Sequence, residues 1–190
     1  AGVDGQVLPG AAGAAARPEG ELEGQMHALA GREDYAGAAA IRDEMSEASL
    51  DDDARVLCAT TELYEALSHQ DLNRMKALWH KASHVKCIHP YEKSSVGYRD
   101  VCDSWGRLFR GRLFHQGALS VEDVQVYVRG GTATVSCSER LVTKRNKVLQ
   151  KYEATNLFSK IGQEWLLVHR HVSHTATQDN VESSAWGHSP

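Results

Sequence analysis

Three histidines and one carboxylate are the residues best suited to chemistry in this chain. His89 closes an apolar run just before Pro90, His169 and His171 stand two apart in the run from Trp165 to Ser173, and Glu139 lies in a preceding alternating segment. An imidazole titrates near neutrality, so His89 and His171 are candidates to move a proton on a bound ligand, with Glu139 as the partner carboxylate. Residues two apart share a strand face. That groups Trp165, Leu167, His169, His171 and Ser173, and leaves Leu166, Val168, Arg170 and Val172 on the other side. The first face runs from apolar to polar, as the wall of a ligand cavity does. His89, Trp105, Asn156, Trp165, His169 and His171 are therefore the candidate contacts for a small hydrophobic ligand. The plainer reading has the histidines bonding backbone or hydroxyl groups at the end of a sheet. It is the favoured one, and no residue is assigned as catalytic. His80 with His84, Cys87 with His89, and His169 with His171 have ligand spacing, but no second cluster backs any pair, so no metal and no cofactor is expected.

The elements that must position these side chains can be read from periodicity. Val56, Leu57, Thr60, Leu63, Tyr64 and Leu67 mark an amphipathic helix starting near the acidic residues 51–53, and Asp71 caps a second. A strand at residues 85–89, a short one near 95–97 and a helix over 98–109 follow. Four longer alternating stretches then predict strands over 119–128, 132–141, 154–160 and 165–173, joined by a Gly130–Gly131 turn, a basic loop around 144–147 and a turn at Gly162. Helices followed by a run of antiparallel strands make an α+β class.

Composition sets further bounds. The chain has 190 residues, a net charge of -4 and 42% hydrophobic residues, enough for one core. The acidic balance makes a nucleic-acid partner improbable, and no apolar run is long enough to span a membrane. Cys58, Cys87, Cys102 and Cys137 are widely spaced, as buried thiols of a reducing compartment are. Residues 1–20 are rich in alanine, glycine and proline and are expected to be disordered, like the polar tail over 176–190. Residues 21–47 predict two short helices with an apolar stripe, separated from the main domain by an acidic linker over 46–53.

Two resemblances sharpen these expectations. LEGQMHALAGREDYAGAAAIRDEM resembles the UVR motif, a helical hairpin of nucleotide excision repair subunits, regulators and protease adaptors. The resemblance implies docking of a protein partner, with Leu22, Met26, Tyr35, Ile41, Arg42 and Met45 as the contacts. CIHPYEKSSVGYRDVCDSW, ATNLFSK and EWLLVHRHVS resemble the SnoaL-like branch of the nuclear transport factor 2-like superfamily, over residues 51–175. That implies a cone in which a curved antiparallel sheet packs on three helices around a cavity, with homodimers formed through the sheet. Catalytic relatives use a pocket aspartate, whereas here Glu139 is the obvious carboxylate. The joint expectation is a non-catalytic interaction or adaptor protein; the alternative is an isomerase- or cyclase-type enzyme using the cavity histidines. Pairing the two modules resembles proteins of photosynthetic eukaryotes, which with the alanine-rich start implies the chloroplast stroma, the cytoplasm being the alternative.

Overall fold

The computed structural model describes residues 17, 19–111, 117–143, 145 and 147–175. Of the stretch 1–20 expected to be disordered, residues 1–16 and 18 lie outside them, as does 176–190, whereas Glu19 and Gly20 are helical, a correction to that expectation. Tertiary contacts divide the chain into two units, with the boundary between Ala48 and Ser49.

In the first unit, α1 (Glu19–Gly31) leads into α2 (Tyr35–Ser68). Glu33 takes a positive φ of 61° and the Asp34 N–H donates to Leu29 O at 3.0 Å, closing the end of α1. The Asp34 carboxylate then accepts from Gly37 N at 2.9 Å, supplying one of the bonds the first turn of a helix lacks. Along the apolar stripe Leu22 and Ile41 are buried, and Met26, Leu29 and Met45 are half-buried. The expected linker over 46–53 is helical and lies within α2. No glycine or proline interrupts that stretch, and Arg55 pairs with Asp51 one turn back at 2.7 Å.

In the second unit, α2 continues to Ser68, and α3 (Leu72–Ala77) and α4 (Tyr98–Arg110) supply the other helices. Val56, Leu63 and Leu67 fall on one face of α2, where they join Met75, Val101, Trp105 and Phe109 in the core. Asp71 caps α3 by accepting from Asn73 N and Arg74 N, each at 3.0 Å. Six strands form one sheet in the order β2-β1-β6-β5-β4-β3: β1 (Lys86–Ile88), β2 (Ser95–Val96), β3 (Ala118–Arg129), β4 (Thr132–Val142), β5 (Val148–Ile161) and β6 (Glu164–His174). The inner face packs on the helices through Ala133, Val135, Phe158, Trp165 and Leu167.

The sheet is mixed rather than wholly antiparallel, because β1 runs parallel to β6, with Cys87 opposite Arg170. Residue alternation reports which face a side chain takes but not which way a strand runs, so the sequence could not reveal this pairing.

Candidate functional site

A bulge decides which side chains enter the cone. Between β5 and β6, Leu157 pairs with His169 while its neighbour Phe158 pairs with Leu167, so Val168 is an extra residue on β6. One extra residue flips every later side chain to the opposite face. Trp165 and Leu167 point inward as expected. Beyond Val168 the inward residues are Arg170 and Val172, both buried, whereas His171 and Ser173 are exposed and His169 is half-buried. The expectation that His169 and His171 line the cavity is therefore corrected. Their place is taken by Arg170, which strict alternation assigned to the outer face. The unbroken apolar run Leu166-Leu167-Val168 is the one sequence signal of this departure.

Arg170 is the centre of a buried polar cluster, with only 2% of its surface exposed. Its Nη2 donates to Glu139 Oε1 at 2.6 Å and its Nη1 to Asn156 Oδ1 at 2.7 Å. Asn156 sits directly across the β5–β6 ladder from it, which accounts for that bond. Tyr64, from α2, donates its hydroxyl proton to Glu139 Oε1 at 2.7 Å. That proton being used, the Cys137 thiol is the donor in its 2.9 Å contact with Tyr64. Burial raises the Tyr64 pKa far above its ordinary value, so the phenol stays protonated despite the opposing pull of Arg170. The guanidinium carbon lies 5.7 Å from the Tyr64 ring centre and 5.9 Å from that of Trp105. Arg170, Tyr64 and Cys137 are the members not expected at the site: periodicity placed Tyr64 on a helix face but gave it no role there.

His89 adjoins this cluster but is engaged in structural bonds. Ser104 Oγ gives its only proton to Val101 O at 2.7 Å, so His89 Nε2 must be the donor in the 3.1 Å contact with Ser104. The ring meets Trp105 edge-on, with centroids 4.6 Å apart. Burial, then the charges of Arg170 and Arg107, lower the His89 pKa to about 4, so the imidazole is neutral at physiological pH. Burial likewise pushes the neighbouring Cys87 thiol up to about 12. Trp165 is not part of this cluster. Its Nε1 donates to Asp52 at 3.3 Å, and Lys160 binds the same carboxylate at 2.7 and 2.8 Å, tying α2 to the β5–β6 hairpin.

The cavity bordered by His89, Trp105, Glu139, Tyr152 and Arg170 measures about 40 Å³, and Leu67, Leu108, Leu119, Leu141 and Val172 make its apolar walls. Such a space admits little more than one water-sized group. Glu139 is committed to Arg170 and Tyr64, and His89 spends its proton on Ser104, so among the described residues the interior holds no free acid–base pair. Two wider grooves lie on the surface of this unit: about 600 Å³ beside Arg55, Cys58, Arg74 and Trp165, and about 370 Å³ beside Leu57, Tyr64, His69 and Val124. Among the described residues no group of three His, Cys, Asp or Glu side chains could hold a metal ion, and no helix is long and apolar enough to cross a membrane.

In the hairpin, Tyr35 is 69% exposed and Arg42 is also exposed, while Leu22 and Ile41 are buried and cannot meet a partner as the hairpin stands.

Comparisons with known proteins agree with this architecture. The chain is 28% identical over 119 residues to the F-box protein SKIP8 of Arabidopsis thaliana, covering 62% of this chain and 48% of that protein. It thus spans about half the length of the curated relative it matches. A solved structure from Streptomyces avermitilis, named as a proposed dehydratase of the nuclear transport factor 2-like family, is similar at 27% identity and a TM-score of 0.57, covering 67% of this chain and 98% of that one. A nuclear transport factor 2-like protein of unknown function from Pseudomonas putida shares the fold at 12% identity and a TM-score of 0.60, covering 74% of this chain and 98% of that one. The SnoaL-like domain profile matches residues 56–177. With that match over most of its length and the sheet and helices to go with it, the chain belongs to the SnoaL-like domain family.

Proposed function

We propose that this protein is a non-catalytic interaction module, in which the UVR-like hairpin docks a protein partner and the SnoaL-like domain is a dimeric scaffold. The observation that carries this reading is the filled interior: about 40 Å³ remains, against roughly 300–1,000 Å³ for ordinary ligand pockets. The carboxylate best placed to act as a base is already held by Arg170 and Tyr64. The 27% identity to a proposed dehydratase supports the rival reading, an enzyme acting through His89 and Glu139. Against it stands the outward turn of His171, which separates the histidine pair that such chemistry was expected to use.

The test compares partner capture by the wild type, by a Tyr35→Ala, Arg42→Ala double variant and by His89→Gln. Both hairpin positions are exposed, so the double variant leaves the buried Leu22 and Ile41 in place. A partner held by the wild type and by His89→Gln but lost from the double variant is the expected result. Capture that ignores the hairpin change would overturn the docking reading.

A further inference from the structure

The sheet has two edges of unequal length. β2, at one edge, is two residues long, whereas β3, at the other, runs for twelve and pairs only with β4. Every second residue of an edge strand turns its N–H and C=O away from the sheet. Among the described residues no backbone group outside β4 bonds to β3. Long edges are commonly blunted by proline or lysine, and β3 contains neither. It has a bulge between Glu122 and Gln125, where Asp123 takes a φ of 53°, and beyond that residues 125–129 pair regularly with residues 132–136. Val124 is 40% and Tyr127 64% exposed along this edge. Asp123 and Arg129 are exposed as well, and neither has an ion-pair partner among the described residues. We propose that two copies of this chain join antiparallel through the β3 edge, with Val126 on the two-fold axis, so that their sheets become continuous.

Charge decides the occupant and the register. Asp123 and Arg129 are equally far from Val126 along the strand. Antiparallel pairing about Val126 sets each Asp123 opposite Arg129 of the second copy, which makes two ion pairs. The same operation sets Tyr127 opposite Gln125 and Val124 opposite Val128, covering both exposed apolar side chains. Pairing about Tyr127 instead would set Arg129 against Gln125 and leave both charges unmatched. One patch used twice closes on itself as a dimer. The inference rests on the dimeric-scaffold reading and deepens it, placing the contact at the edge of the sheet rather than on its face.

Sedimentation velocity of the full chain over a concentration series reads the assembly, in reducing buffer so that the exposed Cys58 forms no cross-link. The wild type should pass from one chain per particle to two. Asp123→Arg and Arg129→Asp each set like charges opposite one another at both ends of the contact. Each alone should weaken the dimer at least about tenfold, the factor that corresponds to about 1.4 kcal/mol. Mixed in equal amounts, the two variants regain complementary charges and should dimerise as the wild type does. Salt provides the second measurement if Asp123→Arg does not fold at the bulge. Raising it from about 0.05 to 0.5 M should weaken the wild-type dimer and strengthen that of Arg129→Asp, because screening acts on attraction in one and repulsion in the other. Folded variants that stay monomeric when mixed, or the same salt response in wild type and Arg129→Asp, would overturn the proposal. A dimer that both variants form as tightly as the wild type would overturn the edge contact and leave the dimeric reading standing. A monomeric wild type would overturn both, leaving the edge to a strand of another protein.

Discussion

His89 offers a sharp test of how the interior is built. Its imidazole is neutral in the fold because it is 3% exposed, uses Nε2 to bond Ser104 and lies near two arginines. The folded pKa is about 4, against 6.5 in the unfolded chain. Above pH 6.5 both states hold a neutral ring and the full stability is present. As pH falls from 6.5 towards 4 the unfolded chain takes up a proton that the folded chain refuses, and stability drains away. A difference of about 2.5 units at 1.36 kcal/mol each makes the loss about 3 kcal/mol, a large part of the 5–15 kcal/mol typical of a domain. His89→Gln keeps an N–H donor for Ser104 but does not titrate. Urea unfolding followed by circular dichroism, over pH values from about 7.5 to 4, should show the wild type losing about 3 kcal/mol more than the variant. Taking the difference cancels the carboxylates common to both. Parallel losses in the two proteins would refute the neutral, buried imidazole and with it the assignment of its proton to Nε2.

The Glu139–Arg170 pair and the β6 bulge yield two more expectations. Glu139→Gln leaves a buried guanidinium without its counter-charge and should destabilise the domain by about 3–5 kcal/mol in thermal unfolding, whereas a Glu139→Met, Arg170→Met double variant should recover part of that loss; a single variant of near wild-type stability would mean that the pair is not desolvated. Brief treatment with diethyl pyrocarbonate followed by peptide mapping should modify the exposed His171 and spare His89. A protected His171 would show that β6 keeps strict alternation and that Val168 is no bulge.

Much of the architecture was legible because local patterns and tertiary demands agreed. The face formed by Val56, Leu63 and Leu67, the cap at Asp71, the turns at Gly130 and Gly162, and the alternation in β4 and β5 each follow from one residue's neighbours along the chain. His89, Trp105, Glu139 and Asn156, named as candidates from the sequence, are buried in the second unit. The helix through residues 46–53 was missed because an acidic, serine-containing stretch reads equally as linker or as exposed helix, and only the absence of a breaker favours the latter.

Sequence alone therefore determined the α+β class and the main helix faces, because periodicity and capping act over one or two turns of chain. The tertiary structure alone decided that β1 lies parallel to β6, that Val168 bulges, and that Arg170 rather than His171 enters the cone. Those outcomes depend on which strand lies alongside and in what register, and a single extra residue in a ladder reverses every face beyond it.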